Sequence, residues 1–414
     1  MNVSAKNLIS TTNVYLSEKG INESGKRVRS RSLRTPNRSR TEFIDDKPPL
    51  SKKIVTKHET VISNGTAVDL FYPVEPKHNP NESKIQEDLT SFLKNDIGIL
   101  KNDVMAIEKF EAIKIDLLAS TTFPYLSETS DLLTAAKWLT FLFYHDDFFE
   151  KESLNIYIVK SLHKNIMSHL KTGDSKSFKI SNENKLLLLN SSNGQTAMRR
   201  INHIEKFVGI LSSVVNEGLK DVSESGRWGF LSEVNNYFCG TENEIQIKAK
   251  INFTDNKDTL KALYREYDEI RIDSGSVNSL FVLGDILKYK DVDIFTYFNT
   301  HVKSLSNLAN YAVCFSNDIY SEPKERIKNK ENKIVAMNKV FILEKMGLTR
   351  SAAIEKVAKE HNHCTQKFVD IISDLNIKDK KLLDQISIIK CWFYSNREWS
   401  EKSGRYSNIV FCNV

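Results

Sequence analysis

The stretch Asp146–Glu150 brings three carboxylates together directly after an apolar segment, Trp138–Tyr144. If this region is helical, Asp146 and Glu150 lie four residues apart and share one face, with Asp147 beside them. Carboxylates this close repel one another unless a cation lies between them, and hard oxygen ligands of this kind suit Mg²⁺. The alternative is an ordinary acidic helix end in contact with water, because charged side chains are mostly exposed.

A second group of oxygen-bearing side chains occurs much later in the chain. Asn317, Ser321 and Glu325 recur every four residues, so an amide, a hydroxyl and a carboxylate would line one helical face. Three oxygen ligands at this spacing can hold one Mg²⁺ and leave room for water and phosphate. The apolar run Tyr311–Phe315 precedes them, so this face is predicted to look into the protein. Pro323 predicts either that the helix ends nearby or that it is kinked there.

Helices must position both groups, because apolar residues recur at three- and four-residue spacing along most of the chain after residue 70. Examples are Leu89, Phe92, Leu93 and Ile97, then Leu280, Leu283 and Leu287, and later Ile386, Ile389 and Trp392. The low content of Gly and Pro, 15 and 8 in 414 residues, also favours helices over a turn-rich β fold. We therefore predict one all-α domain over residues 69–414, too large for a simple four-helix bundle.

Residues 1–68 differ from the rest in charge and in pattern. Residues 1–53 contain twelve Lys and Arg and five Asp and Glu, so their net charge of +7 exceeds that of the whole chain, +6. The remainder of the chain is therefore close to neutral. No hydrophobic periodicity is sustained there, which predicts a disordered basic extension. A peptide for import into an organelle is the alternative, although Glu18 and Glu23 are unusual in one. A chain starting near Asp69 is expected to fold and remain active.

Several classes of function are disfavoured by what the sequence lacks. The positive charge belongs to the extension, so no nucleic-acid partner is predicted for the fold. No run approaches the roughly 18 apolar residues of a transmembrane helix, so no stable membrane insertion is expected. Five cysteines without a CxxC pair favour a reducing compartment, and a cytoplasmic location is predicted. Neither a GxGxxG nor a Walker-type loop is present, so nucleotide binding is not supported.

The order and spacing of the motifs resemble a known family. Asp146–Glu150 is similar to the aspartate-rich motif of class I terpene synthases (terpene cyclases) of the non-plant, single-domain kind found in microbes, amoebae and corals, although it ends in Glu where Asp is commoner. Asn317, Ser321 and Glu325 resemble the second metal motif of that family. The resemblance implies a single large helical bundle around a central cavity.

Further positions resemble the residues with which this family binds and ionises a diphosphate. Arg271 lies 46 residues before Asn317, the offset of the family's diphosphate-sensing arginine. Ser274 and Gly275 match the linker and effector at its helix break. The resemblance assigns diphosphate contacts to Arg271, Lys324, Arg405 and Tyr406. It assigns catalytic roles to Arg271, Ser274, Gly275, Arg405 and Tyr406.

The resemblance also implies a reaction, the Mg²⁺-dependent ionisation and cyclisation of a linear prenyl diphosphate with release of diphosphate. Three Mg²⁺ ions are expected, with these ligands: Asp146, Asp147, Glu150, Asn317, Ser321 and Glu325. Geranylgeranyl diphosphate is the expected substrate and a diterpene the product, with farnesyl diphosphate and a sesquiterpene as the alternative. A chain-elongating prenyltransferase is an alternative of another class, but that family carries a second aspartate-rich motif. The expected assembly is a monomer or a homodimer.

A carbocation intermediate would require an inert, aromatic-lined cavity. Ring faces can stabilise a desolvated cation by roughly 1–2 kcal/mol each. Phe143 and Trp392 are the candidates for contact with the substrate hydrocarbon, and ordinary core packing is the alternative for each of them.

Overall fold

The computed structural model describes residues 57–63, 66–73, 77–100, 103–172, 177–291, 300–332, 337–375 and 379–406. Within these ranges the chain forms helices and one antiparallel hairpin, which confirms the predicted all-α class. None of the described helices is both long and apolar enough to cross a membrane. Residues 1–56 of the predicted extension, which covers residues 1–68, lie outside the described residues.

The strands are β1, Lys57–Ser63, and β2, Thr66–Tyr72. The first helices are α1, Glu82–Asn95; α2, Val104–Ala112; α3, Ile115–Thr122; α4, Thr129–Glu152; α5, Ile156–Thr172; α6, Asn182–Ser191; and α7, Gly194–Ser213. A π-helical turn, Val214–Gly218, follows α7. The later helices are α8, Glu224–Phe253; α9, Lys257–Ser274; α10, Val277–Tyr289; α11, Thr300–Asn332; α12, Lys339–Lys345; α13, Arg350–Asp374; and α14, Lys380–Lys402. The 3₁₀ turn Gly404–Tyr406 comes after α14.

Helix α4 carries the first acidic motif and is anchored in the core upstream of it. Trp138 is fully buried and stacks on Phe141 with 5.2 Å between ring centres, while its Nε1 donates to Ser279 Oγ at 3.0 Å. Burying an aromatic side chain contributes about 2–3 kcal/mol, and the indole hydrogen bond satisfies its polar edge. The helix ends at Glu152, before Ser153 with its left-handed φ of 46°. The motif therefore occupies the last turns of a firmly held helix.

Helix α11 carries the second motif and runs without interruption through Pro323. This excludes the first of the two alternatives predicted at Pro323, an end of the helix. α11 packs mainly on α13 and α14. Glu322 is fully buried, and its carboxylate accepts hydrogen bonds from Arg326 and from Arg350, whose Nε lies at 2.9 Å. Because a buried carboxylate is stable only when it is paired, this contact holds α11 against the start of α13.

A buried lysine joins the helices next to the second motif. Lys339, the first residue of α12, is only 1% exposed, and its Nζ lies 2.6 Å from carboxylate oxygens of both Asp268 and Glu360. The same ammonium lies 3.7 Å from the centre of the Phe315 ring. The backbone N–H of Lys339 donates to Asp318 Oδ2 at 3.0 Å. The two carboxylates offset the desolvation of the ammonium, so α9, α11, α12 and α13 meet in a fixed arrangement.

The β1–β2 hairpin packs on α13, where a single amide holds its backbone. Phe71 N–H donates to Asn362 Oδ1 at 2.8 Å, and Asn362 Nδ2 donates to the carbonyl of Asp69 at 2.7 Å. The side chain thus takes the place of a neighbouring strand at this edge. The described fold begins at Lys57, upstream of the domain boundary predicted at residue 69.

Deleting the hairpin should destabilise the fold. A chain beginning at Lys77 lacks Leu70 and Tyr72, which are 0% and 1% exposed, and it leaves Asn362 without its backbone partners. The lost burial corresponds to about 3–6 kcal/mol. Urea unfolding followed by circular dichroism should give a clearly lower midpoint than for a chain beginning at Lys57. Equal midpoints for these two chains would contradict this prediction. A chain starting at Asp69 lacks β1, so we expect it to be destabilised as well, in contrast to the expectation from the sequence.

Candidate active site

A cavity of about 700 Å³ lies between α4, α8, α9, α10, α11 and α14. This volume is typical of a pocket that buries most of a small apolar ligand. The predicted site residues that line it are Phe143, Asp146, Glu150, Arg271, Ser274, Gly275, Asn317, Ser321, Lys324, Glu325, Trp392, Arg405 and Tyr406. Asp147 is the one predicted site residue that does not line it. Side chains far apart in sequence thus meet around one space.

Two carboxylates of the first motif line the cavity, and the third forms an ion pair. Asp146 and Glu150, one helical turn apart, line the cavity. The two carboxylate oxygens of Asp147 instead accept hydrogen bonds from Arg405 Nη1 and Nη2, each at 3.1 Å. Arg405 Nη2 also lies 3.3 Å from Asp146 Oδ2, and its guanidinium lies 4.6 Å from the centre of the Phe143 ring. Arg405 is therefore fixed beside the first motif, mainly by Asp147.

The second motif meets a residue that the sequence analysis did not identify. The Nδ2 of Asn338 donates to Ser321 Oγ at 3.3 Å and to Glu325 Oε2 at 3.0 Å. It also donates to the carbonyl of Asp318 at 2.7 Å, while Oδ1 accepts from Val340 N–H at 2.9 Å and so caps α12. One buried amide thus spans two of the three predicted metal ligands.

Glu325 has the electrostatics of a cation ligand. Burial and the nearby Asp318 carboxylate raise the pKa of Glu325 to about 7, although hydrogen bonds with Ser321 and Asn338 lower it. A buried carboxylate resists ionisation unless positive charge is close, and a coordinated divalent cation would supply that charge. Among the described residues, no three His, Cys, Asp or Glu side chains form a metal-sized cluster. The donors that fit Mg²⁺ here are mixed amide, hydroxyl and carboxylate oxygens, all of them hard.

Replacing Asn338 with leucine should weaken metal binding without removing a ligand. Leucine has a similar size but cannot donate to Ser321 or Glu325, so both predicted ligands lose the hydrogen bond that orients them. Partners of metal ligands are typically worth about 10–100-fold in metal affinity. In the presence of diphosphate, binding of Mg²⁺ should raise the melting temperature of the protein. The Mg²⁺ concentration that gives half of this rise should be about 10–100-fold higher for Asn338→Leu than for the unaltered protein. Asn193→Leu, which removes only the cap of α7, is the control for lost capping. Equal Mg²⁺ midpoints for Asn338→Leu and the unaltered protein would exclude this role.

Arg271 lies on the last turn of α9 and contacts the second motif. Its Nη2 donates to Asn317 Oδ1 and to Asp318 Oδ1, each at 3.3 Å. The Nδ2 of Asn317 donates to the Tyr406 hydroxyl at 3.0 Å, and Asp318 also accepts from the Tyr267 hydroxyl at 2.6 Å. Within the described part of the chain, the buried Arg271 Nε makes no hydrogen bond. A buried donor without a partner is costly, and an anion in the cavity would satisfy it.

The helix break predicted at Ser274 and Gly275 is present. α9 ends at Ser274 and α10 begins at Val277. The residue in the left-handed region is Ser276, with φ of 56°, whereas Gly275 has a helical φ of −70°. The chain changes direction at Ser276, so the conformational freedom of glycine is not what this break requires.

Glycine is required at position 275 for close packing. A Cβ on Gly275 would lie 2.5 Å from Cys314 Sγ of α11, and a Cβ on Gly240 of α8 would lie 2.4 Å from the backbone nitrogen of Ser274. The structure shows close approach of α8 and α11 to the break, which lies between them.

Aromatic rings held by their neighbours form part of the cavity wall. Trp392 meets Phe123 and Phe281 edge to face, with 6.4 and 6.5 Å between ring centres. The centre of the Phe143 ring lies 5.2 Å from the centre of the Trp399 ring. The aliphatic part of the wall includes Leu118, Leu139, Leu142, Ile245, Val277 and Leu280. Such a surface can hold a hydrocarbon chain in a defined shape without hydrogen-bonding to it.

Among the site residues that were missed, Asn338 contacts the second motif and Glu244 of α8 lines the cavity, as do Tyr237 and Thr241 of the same helix. Burial raises the pKa of Glu244, and Arg271 opposes that shift. Tyr237, Thr241 and Glu244 follow helical spacing, so periodicity could have placed them on one face. Asn338 has only the signature of a helix cap, which says nothing about a metal motif.

Comparison with known proteins agrees with this geometry. The sequence profile of terpene synthase family 2, C-terminal metal binding, matches residues 137–367, which is more than half of the chain. The chain therefore belongs to this family, and the protein is a terpene synthase, a lyase. No curated protein sequence matches.

Solved structures share the fold at low sequence identity. Linalool/nerolidol synthase from Streptomyces clavuligerus, solved in complex with 2-fluorogeranyl diphosphate, gives a TM-score of 0.60 at 14% identity over 81% of this chain and 98% of that one. The SVS_A2 protein from ancestral sequence reconstruction gives 0.60 at 13% identity over 83% and 91%. α-Eudesmol synthase gives 0.57 at 12% identity over 80% and 98%. The predicted helical bundle is confirmed by these matches.

Proposed function

We propose that the protein is a Mg²⁺-dependent cyclase that converts geranylgeranyl diphosphate into a diterpene, with farnesyl diphosphate and a sesquiterpene as the alternative. The observation that supports this is the composition of one cavity. Both oxygen-ligand motifs and the cationic groups of Arg271, Lys324 and Arg405 meet there, and a large part of the remaining wall is apolar or aromatic. A prenyl diphosphate has a charged head and an apolar tail, and so matches both parts.

Metal ligands in this proposal come from two helices. Asn317, Ser321 and Glu325 on α11, with Asp146 and Glu150 on α4, would hold three Mg²⁺ ions. Bound there, these ions would supply Lewis acidity and offset the negative charge of the leaving diphosphate. Asp147 orients Arg405 instead of binding metal.

The basic residues complete the recognition of the diphosphate. Arg271 and Arg405 donate charge-assisted hydrogen bonds in a fixed fork, while Lys324 acts as a point charge. Lys324 Nζ lies 5.9 Å from the centre of the Tyr406 ring. Arg405 is paired with Asp146 and Asp147. A diphosphate bound beside it would be a further acceptor for its guanidinium.

The apolar walls protect the cation after ionisation. Water would capture an allylic cation, and a cavity filled by hydrocarbon excludes it. Trp392 and Phe143 present fixed rings to that hydrocarbon. Each ring can stabilise positive charge by roughly 1–2 kcal/mol when desolvated.

Incubation of the full chain with Mg²⁺ and each prenyl diphosphate tests the proposal. Geranyl, farnesyl and geranylgeranyl diphosphates are supplied separately, with and without isopentenyl diphosphate, and the extracts are analysed by gas chromatography–mass spectrometry. We expect a cyclic hydrocarbon or alcohol from geranylgeranyl diphosphate and none without Mg²⁺. A cyclic product from farnesyl diphosphate alone would select the sesquiterpene alternative. Longer prenyl diphosphates formed only with isopentenyl diphosphate would indicate a prenyltransferase. If the protein consumed none of the three supplied prenyl diphosphates, the proposal would be contradicted.

A further inference from the structure

A buried chain of hydrogen bonds runs from the cavity wall through three helices. The Tyr237 hydroxyl lies 2.8 Å from His145 Nδ1, and His145 Nε2 lies 3.1 Å from His163 Nε2. His163 Nδ1 lies 2.8 Å from Glu242 Oε1. This series of hydrogen bonds begins at Tyr237 on α8, passes through His145 on α4 and His163 on α5, and ends at Glu242 on α8. Tyr237, His145 and His163 are 4%, 0% and 2% exposed.

The carboxylate at one end sets the direction of every bond. A carboxylate only accepts, so His163 donates from Nδ1 and its Nε2 must accept. His145 then donates from Nε2 and accepts at Nδ1, which leaves Tyr237 as the donor at the other end. This direction requires neutral imidazoles with one donor and one acceptor each, and the burial of both rings disfavours a second, charging proton on either of them.

This direction has a consequence for the ring that faces the cavity. The hydroxyl hydrogen of Tyr237 is committed to His145, away from any hydrocarbon. Successive hydrogen bonds in a chain polarise one another, by an estimated 10–30% per bond. Negative charge at Glu242 therefore increases the electron density of the Tyr237 phenol. Such a ring attracts a cation more strongly than a phenylalanine ring would.

We propose that Tyr237 is a product-determining residue that stabilises a carbocation in the cavity, and that His145, His163 and Glu242 are positioning residues that orient and polarise its phenol. The inference rests on the proposed function. It involves no proton transfer along the chain, because the phenol contributes electron density only. Tyr237 lines the same cavity as Phe143 and Trp392, so one hydrocarbon can contact all three.

Two substitutions separate the phenol from its polarisation. Tyr237→Phe removes the oxygen and keeps the ring, whereas Glu242→Gln keeps a hydrogen-bonding side chain and removes the charge. We expect both variants to change the ratio of major to minor products by about fivefold in the same direction, while total diphosphate release falls by less than about tenfold. The double variant should equal Tyr237→Phe, because residues acting through one group are not additive. Glu224→Gln, exposed at the start of α8, should leave the product ratio unchanged.

The outcomes distinguish this inference from the proposed function. If the unaltered protein consumes no prenyl diphosphate, the proposed function fails. If it does and both variants give the unaltered product ratio, the role of Tyr237 fails. A shift with Tyr237→Phe but none with Glu242→Gln would also overturn the inference, because the chain would then not act on the phenol.

A measurement that needs no turnover tests the direction of the chain. In protein with ¹⁵N-labelled histidine, nuclear magnetic resonance should show His145 protonated at Nε2 and His163 at Nδ1. Glu242→Gln should change the tautomer or the shift of both rings. A proton on Nδ1 of His145 in the unaltered protein would reverse the bond to Tyr237 and overturn the inference, even if a variant failed to fold.

Discussion

Replacing Glu325 with glutamine should abolish turnover of the prenyl diphosphate and leave the helical fold intact. Glutamine has the same shape and can still contact Asn338, but it brings no negative charge to the metal. A lost ligand removes several kcal/mol of transition-state stabilisation, which corresponds to a loss of about a hundredfold or more. Diphosphate release measures the rate, and far-ultraviolet circular dichroism measures the helix content.

A second ligand and a matched control make this prediction specific. Asn317→Leu should have the same effect, because it removes an oxygen donor from the same face of α11. Glu269→Gln makes the same chemical change at an exposed position on α9 and should be neutral. The thermal shift that Mg²⁺ and diphosphate cause in the unaltered protein should be lost in Glu325→Gln. Half of the normal rate in either ligand variant would remove this group from the mechanism.

Replacing Arg271 with lysine should slow ionisation far more than it weakens binding. Lysine keeps the charge, but its three N–H groups radiate from one atom and cannot reproduce the planar fork, in which Nη2 contacts Asn317 and Asp318 while Nε–H is left for an anion. Losing one preorganised donor to a developing anion typically costs about 10²–10³ in rate. Inhibition by inorganic diphosphate should be only modestly weaker.

Steady-state kinetics on two variants test the role of Arg271. Arg265→Lys lies on the same helix in an exposed position and should behave as the unaltered protein does. Equal rate constants for Arg271→Lys and the unaltered protein would mean that Arg271 only supports the structure around Asp318. An equal loss in rate and in diphosphate affinity would assign it to binding alone.

Helical spacing accounts for what the sequence predicted well. Side chains four residues apart share a helical face whatever the tertiary structure, so the grouping of Asn317, Ser321 and Glu325 needed no knowledge of the fold. The break after Ser274 was predicted by its place in a family pattern and is present. These features depend on local geometry, or on an order of motifs along the chain.

Features that depend on contacts between distant segments could not be predicted. Asp147 is adjacent to Asp146, yet it pairs with Arg405, and nothing local separates the two carboxylates. Asn338 meets Ser321 only because α12 returns beside α11. The predicted extension included β1 and the start of β2, because the contact that holds the hairpin is made by Asn362, which lies 291 residues from Phe71 in sequence. In each case the decisive partner lies in another element.

The two tightly packed glycines limit where the cavity can change its shape. A Cβ at Gly240 would meet the backbone of Ser274, and one at Gly275 would meet the buried side chain of Cys314, so a larger residue at either position would have to displace its neighbour. Substitutions that enlarge or recontour the cavity must therefore come from residues whose side chains form its wall, such as Leu139, Ile245 and Trp392. Divergence to new products would then proceed through those wall positions, while the helix break stays constant. Libraries built to alter the product should randomise the wall and leave both glycines untouched.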